Sequence, residues 1–223
     1  MCISCVNLTH GWHMISVIGG IKGGTGKTTI ATNLAVLCAS KGKKVLLIDA
    51  DDQASASDWA DQRESNISNI SFPTISLSGK NIYQQIAKLK NDYNEIIVDT
   101  GGRDTINQRS ALTMADCFII PFKPRSFDVW TVGKVLNLIE EIKAINPNIR
   151  VVVCVNQSDP KGTDMIDTLN ILHENREFNC LTTFIGNRKS FSNAASLGLG
   201  VIEIDKDQKA CEEIKNLYSF VYE

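Results

Sequence analysis

The sequence lacks any apolar run that approaches the roughly 20 residues needed to span a bilayer as a helix. It also lacks an excess of charge of one sign, since 23 Lys and Arg stand against 25 Asp and Glu. A protein that is basic throughout is thereby excluded, and any nucleic-acid binding must come from a local patch. Internal repeats, low-complexity tracts and Pro/Gly-rich linkers are absent as well. With 223 residues, 43% hydrophobic and 22% charged, the composition is that of a globular protein with length for one domain.

Neither a secretory signal nor an even number of cysteines is present. The seven cysteines are Cys2, Cys5, Cys38, Cys117, Cys154, Cys180 and Cys211. An odd number without a hydrophobic leader is typical of a protein of the reducing cytoplasm. Cys117 and Cys154 lie inside apolar runs, where we expect them to be small buried hydrophobic side chains.

Residues 1–13 precede the first predicted strand and are interpreted as an unstructured leader, or as the result of a start codon upstream of a true start at Met14. This segment contains four potential zinc ligands, Cys2, Cys5, His10 and His13. Their spacing could in principle hold one tetrahedral zinc ion. It is tighter than that of a usual zinc finger and no second half follows, so the leader interpretation is preferred.

Short β-branched runs alternate with helical periodicity over residues 14–223. The predicted strands are Met14–Ile18, Lys44–Ile48, Glu95–Val98, Cys117–Pro121, Arg150–Val155 and Leu181–Ile185, with a weaker run at Phe72–Leu77. The predicted helices are Thr28–Ser40, Asp128–Ile145, Thr163–Glu174 and the stretch from Gln208 to the end. Runs that are apolar on both faces are typical of parallel strands covered by helices. The sequence therefore predicts a single α/β domain over residues 14–223, a three-layer sandwich with a mostly parallel, twisted sheet.

Ligands of such sheets bind where strands end, and the first strand is followed by a glycine-rich loop. Its candidate phosphate-binding residues are Gly23, Gly24, Thr25, Gly26, Lys27, Thr28 and Thr29. The three glycines let successive N–H groups face inward, which makes an anion cradle at the N-terminus of a helix. In such a loop Lys27 pairs with the β- and γ-phosphates and the Thr28 hydroxyl ligates Mg²⁺. The alternative is a glycine-rich turn without a ligand, since Ile21 stands where the strict motif has glycine.

The segment Lys22-Gly-Gly-Thr-Gly-Lys-Thr-Thr29 resembles the deviant Walker A motif of the ParA/MinD superfamily of P-loop NTPases. This resemblance accounts for the missing glycine. It implies ATP and Mg²⁺ as cofactors and a homodimer that forms with ATP. It also implies that Lys22 reaches across the dimer to the phosphates of the other subunit, where a second cation offsets charge on the transferred phosphoryl group.

Carboxylates follow two of the predicted strands. Asp49 and Asp51 point to the same side of the second strand if its period of two continues. The corresponding D-x-D-P-Q segment of the family implies that both orient the attacking water and that they steady Mg²⁺ through its waters, with Asp51 as the chief water-positioning group. Asp52 replaces the proline of that segment. A cluster that caps the following helix is the alternative.

A second acidic segment, Tyr93-Asn-Glu-Ile-Ile-Val-Asp-Thr100, has the form of a Walker B strand. Its Asp99 carboxylate is predicted to hold Mg²⁺ through water. The following residues are Gly101, Gly102, Arg103 and Asp104. The two glycines would let this switch region respond to the γ-phosphate, whereas Arg103 and Asp104 are unusual for the family and receive no role from the resemblance.

Two later segments extend the resemblance. An asparagine in the position of Asn156, after the strand Arg150–Val155, implies a hydrogen bond to adenine, and a plain turn residue is the alternative. The segment Pro121–Asp128 resembles the P-x-x-P-S stretch that flanks the family's dimer interface. Its Lys123 and Arg125 are predicted to contact phosphate or a partner, or to lie on a solvated loop.

Candidate DNA contacts lie near the C-terminus. Arg188 and Lys189 fall in a stretch that resembles the start of a helix near the nucleotide, close to where relatives bind non-specific DNA. Weaker candidates are Lys206, Lys209 and Lys215. Because acidic residues are interleaved with these three, an ordinary solvated helix is the preferred interpretation. Any DNA contact should be salt-sensitive and independent of base sequence.

The resemblance covers nearly all of residues 14–223 and is nearest to small ParA-type partition ATPases without an N-terminal helix-turn-helix domain. It implies a cytoplasmic, nucleoid-associated switch in which an ATP-bound dimer binds DNA and a ParB-like adaptor stimulates hydrolysis. The cargo could equally be a carboxysome or another protein cluster.

Three other classes of protein are weighed against this interpretation. A MinD-like membrane cycler would end in a basic amphipathic helix, whereas Ser219–Glu223 is not basic, so no membrane partner is predicted. A nitrogenase-iron-protein-like reductase would need cysteines at a dimer interface, and Cys117 and Cys154 are expected to be buried. A non-catalytic structural protein would leave the lysines and aspartates of the motifs unused.

Overall fold

The structure of the protein, a computed structural model, describes residues 13–68, 71–124, 126–159, 164–204 and 207–223. The strands are β1 (Met14–Ile18), β2 (Val45–Ala50), β3 (Thr74–Ser76), β4 (Glu95–Thr100), β5 (Cys117–Phe122), β6 (Arg150–Ser158) and β7 (Asn179–Gly186). The helices are α1 (Lys27–Ser40), α2 (Ser55–Asn66), α3 (Ile82–Leu89), α4 (Ile106–Leu112), α5 (Ser126–Lys143), α6 (Asp164–His173), α7 (Lys189–Ala195) and α8 (Gln208–Tyr222). Three members of the predicted zinc set, Cys2, Cys5 and His10, lie outside the described residues.

The strands form one seven-stranded sheet in the order β3-β2-β4-β1-β5-β6-β7. Every strand pair within the described residues is parallel, which sharpens the expectation of a mostly parallel sheet. All six residues of β2, β4 and β5 are buried. Burial on both faces is what their unbroken apolar runs predict. The predicted α/β fold of the P-loop NTPase type is therefore confirmed.

Helices cover both faces of the sheet and make three layers. Alternate residues of each strand enter two separate cores, as Ile18 and Val17 of β1 show. One core lies under α1, α2, α7 and α8, and the other lies under α3, α4, α5 and α6. None of the described helices is long and apolar enough to cross a membrane.

Several strands run further than the sequence predicts. β2 pairs with β4 through Asp49–Asp99 and Ala50–Thr100, so both aspartates lie inside strands rather than after them. Pairing between strands uses backbone N–H and C=O groups, so it continues through the aspartates although the apolar run has ended. The sequence did not predict α2, α3 and α4. The buried residues of α2 are Ala56, Trp59 and Arg63, and because one of them is an arginine the apolar pattern is too sparse to predict a helix.

The connections between strands bring the predicted site together at one edge. β1 lies between β4 and β5, with Ile18 beside Asp99 on one side and Ile119 on the other. The connection that follows β1 leads to β2 on one side of the sheet, and the connection that follows β4 leads to β5 on the other side. Such a reversal of direction opens a crevice at the carboxyl ends of the strands. The glycine-rich loop, the end of β2 and the end of β4 therefore face the same space.

Candidate nucleotide site

A cavity of about 870 Å³ opens at this edge, large enough for a small-molecule ligand. Its walls come from the glycine-rich loop and from the segments after β2, β4 and β6. The lining residues are Gly23, Gly24, Gly26, Lys27, Thr28, Thr29, Asp51, Asp52, Gln53, Ser55, Gly101, Gly102, Arg103, Thr105 and Gln157. Six of the seven predicted cradle residues line the cavity, and Thr25, which is buried, does not. Gln53 ends the segment that resembles D-x-D-P-Q but received no role, and the sequence had no signal for Ser55, Thr105 or Gln157.

Gly26 shapes the N-terminus of α1. Its φ of 87° lies in the left-handed region, and an added Cβ would lie 2.2 Å from the amide nitrogen of Asn156. Its carbonyl accepts the first bond of the helix from the Ile30 N–H at 3.0 Å. Only glycine satisfies both the conformation and the close approach. The free N–H groups of the first turn therefore face the cavity, where they favour an anion.

Lys27 projects its ammonium into this loop. The side chain is buried, and Nζ donates to the carbonyl oxygen of Lys22 at 3.2 Å. Burial lowers the pKa of Lys27, and the nearby Asp99 and Asp51 carboxylates oppose that shift. A cation confined beside a row of N–H groups is the arrangement that binds phosphate oxygens.

Thr28 lines the cavity and the fully buried Asp99 lies behind it, and we refer to this pair as the candidate metal end of the cavity. The Thr28 hydroxyl donates to Asp99 Oδ2 at 2.6 Å. Burial raises the pKa of Asp99 to about 7, while the Thr28 hydrogen bond works against that shift. Asp99 Oδ1 is buried and has no hydrogen-bond partner among the described residues. A buried carboxylate oxygen without a donor fits a water of a bound Mg²⁺, which prefers oxygen ligands and keeps several waters.

A dedicated all-protein metal cage is absent from the described ranges. No group of three His, Cys, Asp or Glu side chains there is arranged to hold a metal ion. Mg²⁺ at this site would therefore rely on Thr28, on water held by Asp99 and on ligand phosphates, which is how the ion is usually held in nucleotide sites.

The structure separates the two aspartates that the sequence places on one side of the strand. Asp51 lines the cavity, whereas Asp49 is fully buried and does not. Asp49 Oδ2 accepts from the backbone N–H and hydroxyl of Ser57 at 2.7 and 2.8 Å, and its Oδ1 accepts from the Asp51 N–H at 3.1 Å. The period of two ends with β2 at Ala50, which is why it does not carry over to Asp51. These contacts are those of the alternative interpretation, an acid that anchors the start of α2.

Two consecutive amide side chains hold the glycine-rich loop from β6. Asn156 Nδ2 donates to the carbonyl of Thr25 at 2.6 Å, and Gln157 Nε2 donates to the carbonyl of Gly24 at 3.1 Å. Asn156 is 3% exposed, and the nitrogen of the amide that the resemblance assigns to adenine is engaged by the loop. Gln157 has a φ of 55°, unusual for a residue with a side chain, and lines the cavity. Of these two amides, Gln157 is the one on the ligand side.

The predicted DNA contacts differ in availability. Arg188 is half-buried and pairs through two nitrogens with Glu213, at 2.6 and 3.1 Å. Its charge is therefore balanced within the fold, whereas Lys189 is exposed at the start of α7. Lys123, Lys209 and Lys215 are also exposed. Arg125 and Lys206 lie outside the described residues.

The fold and the cavity define a P-loop nucleotide-binding protein. Residues 16–201 match the sequence model of the CobQ/CobB/MinD/ParA nucleotide binding domain, and the chain belongs to this family. The match covers most of the chain, so the resemblance based on the motifs is confirmed at the level of the family.

Individual relatives agree with this assignment. The chain is 25% identical over 206 residues to the maintenance of carboxysome distribution protein A of Halothiobacillus neapolitanus, covering 92% of this chain and 94% of that protein. It is 33% identical over 149 residues to the protein ParA of Rhizobium radiobacter, covering 66% and 65% of the two chains. The structure of a Cyanothece McdA variant in complex with ATP shares the fold with a TM-score of 0.76, at 16% identity, over 95% of this chain and 97% of that one.

Proposed function

We propose that the protein is a Mg²⁺-dependent ATPase that hydrolyses ATP to ADP and phosphate and acts as a dimerising switch that positions cargo. The observation that carries this proposal is the composition of the cavity. Lys27 and the N-terminus of α1 face the space on one side, and the Thr28–Asp99 pair, with an unpartnered carboxylate oxygen, lies at its metal end. These are the two halves of a magnesium–triphosphate site.

Each side chain then has a stated role. Lys27 neutralises the phosphates, and Thr28 together with Asp99 holds Mg²⁺ and its waters. Mg²⁺, when bound, offsets the charge that develops on the transferred phosphoryl oxygens. Asp51, the half-buried carboxylate on the cavity wall, positions the attacking water. The contacts of Asp49 support an indirect role, in which it holds the Asp51 backbone and the start of α2.

The position of Lys22 supports its proposed action on the other subunit. Lys22 is absent from the lining of the nucleotide cavity and lines instead a small neighbouring pocket beside Ile21, Thr25 and Ile120. Its backbone carbonyl, in contrast, holds Lys27. A lysine whose backbone carbonyl holds Lys27, but which does not itself line the cavity, is suited to a phosphate bound by a second copy.

The cargo role rests on the relatives. One relative is named for the distribution of carboxysomes and another is the protein ParA, so both a protein assembly and a plasmid or chromosome are candidate cargoes. The ATP-bound dimer would bind non-specific DNA of the nucleoid through exposed basic residues such as Lys189, and a ParB-like adaptor on the cargo would stimulate hydrolysis.

Sedimentation velocity with and without ATP, Mg²⁺ and random duplex DNA tests the switch. We expect a monomer without nucleotide, a dimer with ATP and Mg²⁺, and co-sedimentation with DNA that weakens as salt is raised. Lys22→Ala should keep nucleotide binding and lose the stimulated hydrolysis, with the exposed Lys88→Ala of α3 as its control. A monomer under every condition would contradict the proposal.

The two cargo classes are separated by the adaptor. If a neighbouring reading frame encodes a DNA-binding protein, addition of that protein should raise the ATPase rate and the partition role is supported. Stimulation only by a protein that binds a shell or protein cluster would instead support the carboxysome-like role.

A further inference from the structure

The segment between β4 and α4 is tied to the glycine-rich loop at both of its ends. The Thr100 hydroxyl donates to the carbonyl of Ile18 at 2.9 Å. Gln108 of α4 accepts from the Gly20 N–H at 2.8 Å through its Oε1, which also lies 3.1 Å from the Thr100 hydroxyl. All of these atoms are buried, so residues 101–105 form a short loop whose ends cannot move independently of the start of the P-loop.

The middle of this loop is also held. A Cβ on Gly102 would lie 2.4 Å from the Cα of Gly23, so the two backbones are in direct contact. Asp104 accepts from Arg109 at 2.6 and 2.5 Å, and Arg109 also donates to Glu141 of α5 at 2.5 Å. The position of the intervening residue, Arg103, is therefore defined from both sides.

Arg103 is exposed and lines the nucleotide cavity. Its guanidinium makes no hydrogen bond or ion pair with any residue that the structure describes. This distinguishes it from Arg63, Arg109, Arg150 and Arg188, each of which is bonded to a carboxylate or a carbonyl. An arginine on a pinned loop, directed at a cavity and left without a protein partner, is available to a ligand.

The charges on the cavity wall indicate which ligand. The charged lining residues are Lys27, Arg103, Asp51 and Asp52. Without Arg103, Lys27 would be the single cationic side chain of the lining, against two carboxylates that repel a triphosphate. Arg103 restores the balance before Mg²⁺ adds its own charge, and a guanidinium offers paired donors that match phosphate oxygens.

We propose that Arg103 binds the terminal phosphate of the nucleotide held by its own chain and so distinguishes ATP from ADP. This assignment rests on the proposed function and adds a third cation, supplied in cis, to Lys27 and Lys22. Because Gly102 contacts Gly23, the residue that follows Lys22, the backbone that presents Arg103 to a phosphate is in contact with the backbone next to Lys22.

Calorimetric titration of ATP and of ADP, each with Mg²⁺, tests the assignment. We expect Arg103→Ala to lose about tenfold or more in affinity for ATP and little in affinity for ADP, since a charge-assisted hydrogen bond disappears only with the terminal phosphate. The affinity of Arg103→Lys for ATP should lie between those of the wild type and Arg103→Ala, because the charge is kept and the paired donors are lost. Arg176→Ala, at an exposed arginine between α6 and β7, is the matched control and should change neither affinity.

Limited trypsin digestion gives a readout on the unmodified protein. Cleavage after Arg103 should slow with a non-hydrolysable ATP analogue and not with ADP, while cleavage after Arg176 stays constant. An unchanged ATP-to-ADP affinity ratio in Arg103→Ala would overturn this assignment and leave the proposed function standing. Wild-type protein that binds neither nucleotide would overturn both.

Discussion

The Thr28–Asp99 contact leaves one oxygen of a buried carboxylate available to a cation. Burial raises the pKa of Asp99, one oxygen is bonded to a hydroxyl, and the other has no donor among the described residues. Such a group costs folding free energy unless a ligand satisfies it. The unsatisfied carboxylate oxygen therefore lowers the stability of the ligand-free protein and would be satisfied when a ligand binds.

Asp99→Asn is expected to lower Mg²⁺-dependent ATP hydrolysis by roughly a hundredfold, because the group that holds the water of the metal loses its charge. The shape of the side chain is kept, and the cost of burying a carboxylate is removed. Thermal unfolding without nucleotide should therefore show no loss of stability. Asp52→Asn, on the same cavity wall but exposed, is the control. Full activity in Asp99→Asn would contradict this account of the metal end.

Gly102→Ala is a second test at the level of one residue. The added methyl would lie 2.4 Å from the Cα and 2.7 Å from the backbone nitrogen of Gly23. Because both of these atoms belong to the backbone, one of the two loops must move. We expect about tenfold weaker nucleotide binding, measured by calorimetry. Gly133→Ala in α5 meets no atom within 4 Å and should leave binding unchanged. Equal affinities of the two variants would show that the contact between the loops is not needed.

At the scale of elements, α2 is joined to the chain before α8 by a buried arginine. Arg63 donates to both carboxylate oxygens of Glu203, at 2.9 and 2.7 Å, and to the carbonyl of Gly198 at 2.9 Å. Its guanidinium also lies over the rings of Trp59 and Phe72. Since α2 begins at Ser55, shortly after Asp51, and both residues line the cavity, this contact supports the cavity wall.

Arg63→Ala should reduce the free energy of unfolding by about 3 kcal/mol, the low end for a broken buried pair because Glu203 is partly exposed. Packing of the guanidinium on the two rings is lost as well. Urea unfolding measures the change, and Lys88→Ala on the exposed face of α3 should change stability by less than about 0.5 kcal/mol. A loss below about 1 kcal/mol in Arg63→Ala, on the scale of an exposed ion pair, would mean that α2 is held by its apolar contacts.

At the scale of the whole molecule, burial in the two cores makes most of the described cysteine thiols unreactive. Burial raises the pKa of Cys38, Cys117 and Cys154 to about 12 each. The thiolate, which is the reactive form, is therefore scarce at neutral pH. None of the five described cysteines forms a disulfide, and of these only Cys211 is partly exposed.

Thiol labelling followed by mass spectrometry should modify Cys211 first among the described cysteines. Because the pKa of the buried thiols is raised, the three should stay unmodified as pH is raised from about 7 to about 9, and should react only on unfolding. Labelling in urea serves as the positive control. Rapid modification of Cys117 or Cys154 in the native protein would show that a core opens more readily than its burial indicates.

The extent to which this molecule was predictable follows from where each signal lies along the chain. Apolar runs and helical spacing predicted the strands, α1, α5, α6 and α8, because their burial repeats regularly. The missed helices are short or have a mixed pattern, since α3 and α4 have 8 and 7 residues and the buried residues of α2 include Arg63. Within the site, the glycines with Lys27, Thr28 and Asp99 were predictable because their chemistry depends on neighbours in sequence or on strand ends.

By itself, the sequence determined the layered parallel fold, the phosphate loop and the family, since each depends on local pattern and spacing. Only the tertiary structure decided that Asp51 rather than Asp49 reaches the cavity, that Gln157 lies on the ligand side of Asn156, and that Arg188 is paired while Arg103 is available. These outcomes depend on contacts between residues far apart in the chain. The direction of a side chain and the partner it finds are set by packing, which no local pattern records.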